Sequence, residues 1–537
     1  MQVIKSVPTG TVAPPVCEVV GAVRRGPPRP GRPATQWSSG RCQSIGHAAL
    51  DPRKRSRGPH HRRSPIVGIR RYGRAMPDKS LSRRRFLALS GSGITAVAVA
   101  ACTPGIAPFG SSSTSVAGVS STTSSPGTAG GSVDVEIALT AVADSVEIRP
   151  GTSTNVWRYV AEVTYGDSAA VEPVNGSYLG PTLRLRKGQR VRLVYDNEIP
   201  NESIVHWHGL DVPEDMDGHP RFAVPEGGRY VYEFSVANRA GTYWYHPHPH
   251  GRTAPQVYAG MAGLIIVSDD EEDALSLPSG DFEIPLVLQD RTFRGNELEY
   301  LRGGMMDRMS GFLGDEILVN GERGTSTAVA QRTYRLRILN GSNSRIYKLA
   351  WDDGSPLTIL ATDGGLLESP MSYPYVTLGP GERVDAWADF APKEIGERPK
   401  LVSLPFTASQ MGGMMGTVPD LALGAAFDVA AFHVDRSADS TDPLPARLSS
   451  PEFASIDEAV NASEQRVVTL AMARGQWALN GRTFEMTNVA TDEVVEYGTT
   501  EVWEFHNTGG GMMGGGMMGG GMMGGGMMGE RLPHPMH

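Results

Sequence analysis

Three passages that each contain an Asn-Gly pair recur along the chain, and this repeat constrains the fold more than any other feature. Each pair precedes a run in which apolar and polar side chains alternate with a period of two, as in half-buried β-strands. Turn residues between short strands, without a long helical pattern, indicate β-sandwiches in series. The pairs are Asn175-Gly176, Asn320-Gly321 and Asn480-Gly481, spaced by 145 and 160 residues, and the runs lie at 190–195, 334–338 and 501–505.

The repeat predicts an all-β protein made of serial β-sandwiches, two complete and a third incomplete. The third is expected to be incomplete because only 56 residues follow Gly481, whereas 94 separate Gly176 from the expected linker near Asp270. Half a sandwich would expose an apolar sheet edge. A second echo relates residues 225–234 to residues 380–390. The predicted domains span 134–270, 275–440 and 464–537, the last with a Gly/Met-rich insert at 509–529.

Charge is spread unevenly along the chain. Residues 1–75 carry 15 Lys/Arg and 2 Asp/Glu, which leaves 35 against 56 in the remainder, a balance of −21 within the overall −8. The folded part is therefore acidic, which argues against nucleic acid as a partner. Residues 1–75 show no periodicity, so we interpret them as a disordered basic extension and place the true start of translation at Met76. A basic arm that binds an anionic surface is the alternative.

Residues 76–102 have the layout of a twin-arginine export signal. Arg83 and Arg84 open a mildly apolar run through Ala101 that is short for a membrane span. A basic surface loop is the alternative. Residues 99–102 resemble a bacterial lipobox, so Cys102 is either a lipid anchor or a free buried cysteine. The Ser/Thr/Gly-rich residues 103–133 predict a flexible tether. We therefore expect export by the twin-arginine route to the periplasm or cell surface.

Histidines two residues apart occur at two places in the chain, His206/His208 and His246/His248/His250. Residues two apart on an extended strand point to the same side, and neutral imidazole is a common ligand of copper and zinc. The prolines between the second set predict an edge strand or a rigid extended loop. We interpret the isolated histidines at 219, 433 and 506 as ordinary polar residues.

Copper is the metal that the paired histidines favour. Structural zinc would usually bring cysteines, and the chain has only Cys17, Cys42 and Cys102. A hydrolytic zinc site would usually bring a carboxylate in a helical motif, which the sequence does not contain. In the repeat, residues 206–208 of the first copy align with 348–351 of the second and 534–537 of the third. We therefore expect the first and third copies to hold metal and the second to separate them.

On these motifs the chain resembles bacterial multicopper oxidases of the laccase and cuprous-oxidase type, from about residue 134 to 537. The motifs are His-Trp-His-Gly at 206–209, His-Pro-His-Pro-His-Gly at 246–251 and Ala-Gly-Met-Ala-Gly at 259–263. The resemblance implies cupredoxin-like Greek-key sandwiches and type 1, type 2 and binuclear type 3 copper. It also implies one-electron oxidation of phenolic compounds or Cu(I), coupled to the four-electron reduction of dioxygen to water.

The resemblance also implies roles for individual residues. His206 and His537 would bind the type 2 copper, and His534 the type 1 copper. The type 3 pair would be bound by His208, His246 and His248. His250 would support these ligands without binding copper itself. Asp217 lies where the family has an acidic residue that relays protons, although Asp-Gly is also an ordinary turn signal.

The chain departs from the family pattern at the type 1 site. The family's terminal segment supplies a cysteine thiolate and further histidines, whereas no cysteine follows Cys102. Blue-copper electron transfer depends on such a thiolate. We therefore expect the 537 residues alone to lack an electron-entry site and to be inactive, and we expect the full activity of a longer product.

Methionine-rich segments suggest Cu(I) as a substrate. Residues 509–528 are four tandem copies of Gly-Gly-Gly-Met-Met, and smaller versions occur at 302–306 and 410–416. Soft thioether ligands select Cu(I). A low-complexity linker expanded by repeat slippage is the alternative for the tandem copies. For the whole protein, the alternatives are a non-catalytic exported lipoprotein that sequesters copper, and a copper-free structural relative that uses only the sandwiches.

Overall fold

The protein is described from a computed structural model. The structure describes residues 132–301, 307, 311–407, 420–438, 443–473 and 476–509, together with the backbone of residues 2–3 and 18–22. Several predicted features therefore lie outside the described residues. These are the export signal with Cys102, nearly all of the linker, the methionine-rich segments except Gly509, and His534 and His537.

The first module is a sandwich of a four-stranded and a five-stranded sheet, with strand orders β4-β3-β7-β9 and β5-β6-β11-β10-β8. Apolar residues on alternating positions of both sheets form one buried core, which includes Trp207 and Tyr245. The strands are β3 Val135–Arg149, β4 Thr152–Tyr165, β5 Val171–Glu172, β6 Thr182–Arg186, β7 Arg190–Asn197, β8 Val205–His208, β9 Arg229–Ser235, β10 Gly241–Pro247 and β11 Gly263–Ser268. The helix α1 spans Thr253–Ala259, and single 3-10 turns span Ser168–Ala170, Glu214–Met216 and Pro220–Phe222.

The second module has the same two-layer architecture. Its sheets have the orders β16-β15-β12-β18-β23-β20-β21 and β17-β25-β24-β19-β22, and a hairpin of β13 and β14 lies beside them. The helix α2 (Asp270–Asp273) and a 3-10 turn at Gly280–Phe282 precede it. The strands are β12 Glu283–Arg291, β13 Phe293–Arg294, β14 Glu297–Leu298, β15 Glu316–Val319, β16 Glu322–Arg323, β17 Ser326–Ala330, β18 Thr333–Asn340, β19 Tyr347–Trp351, β20 Leu357–Thr362, β21 Gly365–Tyr373, β22 Val376–Leu378, β23 Arg383–Asp389, β24 Lys400–Ser403 and β25 Phe427–Arg436.

The third module contributes one sheet to the described residues, with the order β1-β2-β28-β26-β27. Its strands are β26 Arg466–Ala473, β27 Gln476–Leu479 and β28 Thr500–Gly509, and 3-10 turns span Ile456–Glu458 and Thr491–Glu493. The strands β1 (Gln2–Val3) and β2 (Glu18–Ala22) lie in the segment predicted to be disordered, and β2 pairs antiparallel with β28. A sheet edge offers free backbone hydrogen bonds with which such short strands can pair, and disorder of residues 1–75 as a whole stays a prediction. The rest of residues 1–75 lies outside the described residues.

The internal repeat has a direct structural counterpart. The three predicted alternating runs fall in β7, β18 and β28, and each pairs in parallel with the first strand of its module, β3, β12 or β26. Asn320 and Asn480 adopt positive φ angles of 53° and 50°. The side chain of each accepts a hydrogen bond from the backbone N–H of Val287 or Thr469 on that first strand. The predicted all-β fold of serial cupredoxin-like sandwiches is confirmed.

A buried cluster of charges joins the first two modules. Arg335 donates to the Asp385 carboxylate at 3.1 and 2.7 Å, and Arg337 donates to Glu283 at 2.6 Å and to Asp385 at 3.0 Å. Thr242 on β10 donates its hydroxyl to Asp385 at 2.6 Å. All five side chains are almost fully buried, so the contacts fix β10 against the second module. Within the described residues, the helices are all too short or too polar to cross a membrane.

Candidate metal centre

The paired histidines lie on two neighbouring antiparallel strands of the first module. In the register of β8 and β10, His206 lies opposite His246, and His208 lies opposite Trp244. The strand β10 lies between β11 and β8, so the prediction of an edge strand for this segment is wrong for His246. Pro247 is the last residue of β10, where a missing N–H does not interrupt the sheet, and His248 follows it with its N–H donating to Ile204 O at 2.9 Å.

The structure brings four of the predicted ligands together. Ligand nitrogens of His206, His208 and His246 all lie within 4.8 Å of one another. Nδ1 of His208 lies 3.2 Å from Nε2 of His246. The ring of His248 is 5.3 Å from that of His206 and 6.0 Å from that of His246, measured between centroids. The spacing is that of imidazoles arranged around a shared cavity.

Hydrogen bonds orient the imidazole rings. Nδ1 of His206 lies 2.7 Å from the backbone oxygen of Asp217 and 3.3 Å from its carboxylate. Nδ1 of His246 lies 2.9 Å from the backbone oxygen of Pro247. An imidazole whose Nδ1 donates to an oxygen keeps Nε2 as an acceptor for a metal. Asp217 is thus placed directly behind a predicted ligand, and its role in proton transfer stays a prediction.

The imidazoles are largely shielded from solvent, and burial keeps that of His248 in the form that binds metal. His208 and His246 are 8% and 6% exposed. Burial, followed by the proximity of His206, lowers the pKa of His248 to about 4. His248 is therefore neutral at neutral pH, and its Nδ1 is buried without a hydrogen-bond partner among the described residues. A cluster of imidazoles that are largely shielded from solvent fits a bound metal ion, and nitrogen donors of this kind suit copper.

Trp244 is a functional residue that the sequence reasoning did not assign. Its ring lies 4.9 Å from that of His208 and 4.3 Å from that of His246, between centroids. Residues at 242, 244 and 246 share one face of β10, so Trp244 packs beside the imidazoles while Tyr243 and Tyr245 enter the core. The Trp244 indole therefore forms a wall of the site. The sequence signal that could have identified it is its position two residues before His246, because residues two apart on a strand share one face.

Among the described residues, the remaining histidines divide into neighbours of the site and residues far from it. His219 accepts a hydrogen bond from the N–H of Arg221, and its ring lies 6.2 Å from that of Phe484 in the third module. The exposed His250 lies 5.2 Å from the same ring. His433 lies on β25 of the second module, and His506 pairs with Glu504 on β28 at 2.6 Å. His534 and His537 lie outside the described residues.

Comparisons with known proteins agree with this geometry. A family model described as multicopper oxidase matches residues 158–272, which include β8 and β10. The multicopper oxidase mco of Staphylococcus epidermidis is 32% identical over 275 residues, which cover 50% of this chain and 61% of that protein. The cell division protein FtsP of Yersinia pestis is 31% identical over 346 residues, which cover 63% and 69%. The crystal structure of the McoA multicopper oxidase from Aquifex aeolicus has a TM-score of 0.55 at 36% identity and covers 65% and 71%.

Serial β-sandwiches with imidazoles gathered between two strands define a metal-binding cupredoxin-like protein. The chain belongs to the multicopper oxidase family, whose metal is copper. The resemblance inferred from the histidine motifs is thereby confirmed. The chain spans 61%, 50% and 48% of the length of the first three curated relatives that it matches.

Proposed function

We propose that this protein is part of an exported copper-dependent oxidoreductase. It would couple one-electron oxidation of phenolic compounds or Cu(I) to the four-electron reduction of dioxygen to water. The observation that carries the proposal is the convergence of ligand nitrogens from His206, His208 and His246 within 4.8 Å, on two strands of one module. Bound copper would supply the redox chemistry, and the protein would position it.

The residues of this chain have distinct tasks in the proposed reaction. His206 would hold type 2 copper, and the other three imidazoles would hold the type 3 pair. Trp244 and the core of the first module exclude water from one side of the rings. The carboxylate of Asp217 is 45% exposed and 3.3 Å from His206, so it connects the site with solvent. This position suits a group that passes protons toward dioxygen as it is reduced.

The reductant is proposed from the chemistry of the sequence. Thioethers favour Cu(I), and three segments of the chain are rich in methionine. Oxidation of Cu(I) would serve copper tolerance, whereas phenols are the substrates implied by the laccase resemblance. A type 1 thiolate does not come from residues 103–537, which contain no cysteine. We therefore propose that these 537 residues alone do not turn over an external reductant.

The proposed location is outside the cytoplasm. Support comes from the twin arginines, the apolar run and the lipobox-like residues before Cys102. We propose export by the twin-arginine route, to the periplasm or the cell surface, and a lipid anchor at Cys102. Mass spectrometry of the protein isolated from its native cell envelope tests this proposal, because a lipidated N-terminal Cys102 has a defined mass.

Two alternatives have specific support. A non-catalytic lipoprotein that sequesters copper would use the same histidines and the methionine repeat. A copper-free role is raised by the relatives named cell division protein FtsP, of which the Escherichia coli protein is 36% identical over 231 residues. The imidazole cluster favours copper over the copper-free role, because partly buried polar rings gain little from such close placement without a metal bond.

One experiment separates the three functions. The purified chain is titrated with copper beside two variants, His246→Ala in the cluster and His433→Ala on β25. It is then reduced with ascorbate and exposed to dioxygen. An oxidase site binds copper, loses it in His246→Ala but not in His433→Ala, and is reoxidised by dioxygen. Copper that binds but stays reduced under dioxygen indicates sequestration, and a chain that binds no copper supports the copper-free role and overturns the proposal.

A further inference from the structure

A turn of the second module lies directly against a predicted copper ligand of the first module. This turn, residues 379–382 between β22 and β23 together with Arg383 at the start of β23, is called the module 2 turn below. Gly381 within it has a φ of +79°. A Cβ placed on Gly381 would lie 3.2 Å from Cε1 of His208, 3.6 Å from Nε2 of His208 and 3.6 Å from Cζ2 of Trp244. The ring of His208 therefore has Nδ1 toward His246 and its Cε1–Nε2 edge against this glycine.

The module 2 turn is held in place by buried hydrogen bonds. The N–H of Gly381 donates to Asn340 O at 2.8 Å. Arg383 is 3% exposed and donates to three backbone oxygens, those of Gly381 at 3.0 Å, Asp363 at 3.0 Å and Thr242 at 3.1 Å. Thr242 belongs to β10, the strand that carries His246. Arg383 thus fastens the turn to the strand that carries this part of the metal centre.

The internal repeat supplies a second copy of the same turn for comparison. In the first module, the N–H of Gly227 donates to Asn197 O at 2.7 Å, as Gly381 does to Asn340. Gly227 has a φ of +74°, and a Cβ placed on it would meet no atom within 4 Å. The two glycines therefore share a backbone conformation and a hydrogen bond, but only Gly381 faces an imidazole.

We propose that Gly381 and Arg383 are positioning residues for copper binding by His208. The inference rests on the proposed function, because it takes His208 as a ligand of the copper centre. Rotation of an imidazole about χ2 is only weakly restricted by its own bonds, so its plane must be set by packing. The module 2 turn and Trp244 set that plane. The sequence repeat suggested that the second module only separates the metal-holding copies. In this proposal it also orients a ligand of the metal centre.

The matched substitutions Gly381→Ala and Gly227→Ala test the proposal. Both place alanine at a positive φ, so both carry a similar backbone strain. Only Gly381→Ala brings a methyl group against His208. The full chain and both variants are labelled with ¹⁵N-histidine, and the imidazole resonances are recorded without metal. Copper affinity and the electron paramagnetic resonance spectrum of bound Cu(II) are then measured.

The expected result is a change at one ring. Gly381→Ala should shift the His208 resonances, lower copper affinity about tenfold, as supporting contacts of metal ligands typically do, and alter the Cu(II) spectrum. Gly227→Ala should leave the His208 resonances, the copper affinity and the Cu(II) spectrum as in the wild type. In a His208→Ala background, Gly381→Ala should have no further effect on affinity.

Two outcomes overturn the inference. One is an equal response of the His208 resonances to both glycine substitutions, and the other is an equal loss of copper affinity in the presence and absence of His208. The substitution Arg383→Lys gives a second measurement, because lysine keeps the charge but lacks the planar fork whose three nitrogens reach three separate oxygens. It should also shift the His208 resonances. If the wild-type chain takes up no copper, the proposed function is overturned instead. The imidazole resonances of the metal-free chain still test whether Gly381 contacts His208.

Discussion

The hydroxyl of Thr242 donates to the buried carboxylate of Asp385 over 2.6 Å, and Thr242 lies two residues before Trp244 and four before His246 on the same face of β10. One strand thus carries a contact to the second module, a wall of the metal centre and a predicted ligand. Stability at the boundary between the modules and geometry at the metal centre are therefore expected to be linked.

Removal of the Asp385 carboxylate should destabilise the protein strongly. Asp385→Ala removes one of the two carboxylates that Arg335 and Arg337 share, the other being that of Glu272, in a region that is about 2% exposed. Breaking such a buried pair typically costs about 3–5 kcal/mol. Urea unfolding followed by tryptophan fluorescence measures the loss. The control is Asp353→Ala, which removes a half-exposed ion pair with Lys393 and should cost about 1 kcal/mol or less. Equal losses in the two variants would contradict the expectation.

The same buried charges predict an acid-sensitive stability. Burial opposes ionisation of Glu283 and Asp385, but Arg337 and Arg335 outweigh it, so the pKa of both carboxyls is lowered. A lowered folded pKa means that the unfolded chain takes up protons first as the pH falls. The contribution is therefore complete above about pH 5 and is lost progressively as the pH falls from about 4 through the lowered pKa values of the folded protein. Urea midpoints between pH 7 and pH 3.5 test this, and Asp385→Asn should reduce the acid-dependent part.

Trp244 should control copper affinity through packing. Trp244→Leu removes the aromatic face that contacts His208 and His246, so both rings gain freedom, and we expect copper affinity to fall by about tenfold. Trp244→Phe keeps an aromatic face and should lose less. Competition with a chromophoric copper chelator measures both values. Identical affinities for the wild type and the leucine variant would show that the indole does not support the ligands.

Asp217 should affect the reaction with dioxygen more than copper binding. In Asp217→Asn, the backbone oxygen that lies 2.7 Å from His206 Nδ1 is retained, so copper binding should change by less than about tenfold. The carboxylate is lost as a proton donor and acceptor. Reoxidation of the ascorbate-reduced, copper-loaded chain by dioxygen should slow by about 10²–10⁴-fold. Stopped-flow absorbance measures this rate, and a substitution that slows nothing would remove Asp217 from proton transfer.

Much of the fold was predictable because its signals are local. Period-two alternation marked β7, β18 and β28, and the Asn-Gly pairs marked turns whose geometry follows from glycine at positive φ. The histidine pairing was predictable for a similar reason. Residues two apart on a strand have their side chains on one face. The sequence alone therefore predicts that His206 and His208 face the same side of β8.

The parts of the site that the sequence did not predict depend on contacts between distant residues. Gly381 and His208 are brought together only when two sandwiches pack, and no pattern near either residue records that packing. The inner position of β10 was missed for the same reason. Prolines after His246 suggested an edge, but Pro247 ends the strand and the neighbour β8 is supplied from forty residues earlier.

His206 lies opposite His246 because β8 and β10 pair in one particular register. The positions of these two ligands therefore depend on the hydrogen bonds between the two strands. A slip of one residue along β10 would turn Tyr243 and Tyr245 toward the cavity and send the imidazole into the core. Metal arriving later could not repair such an error, because it would find phenols where it needs nitrogen donors. Correct strand alignment is thus a precondition for cofactor uptake, set while the first sandwich folds.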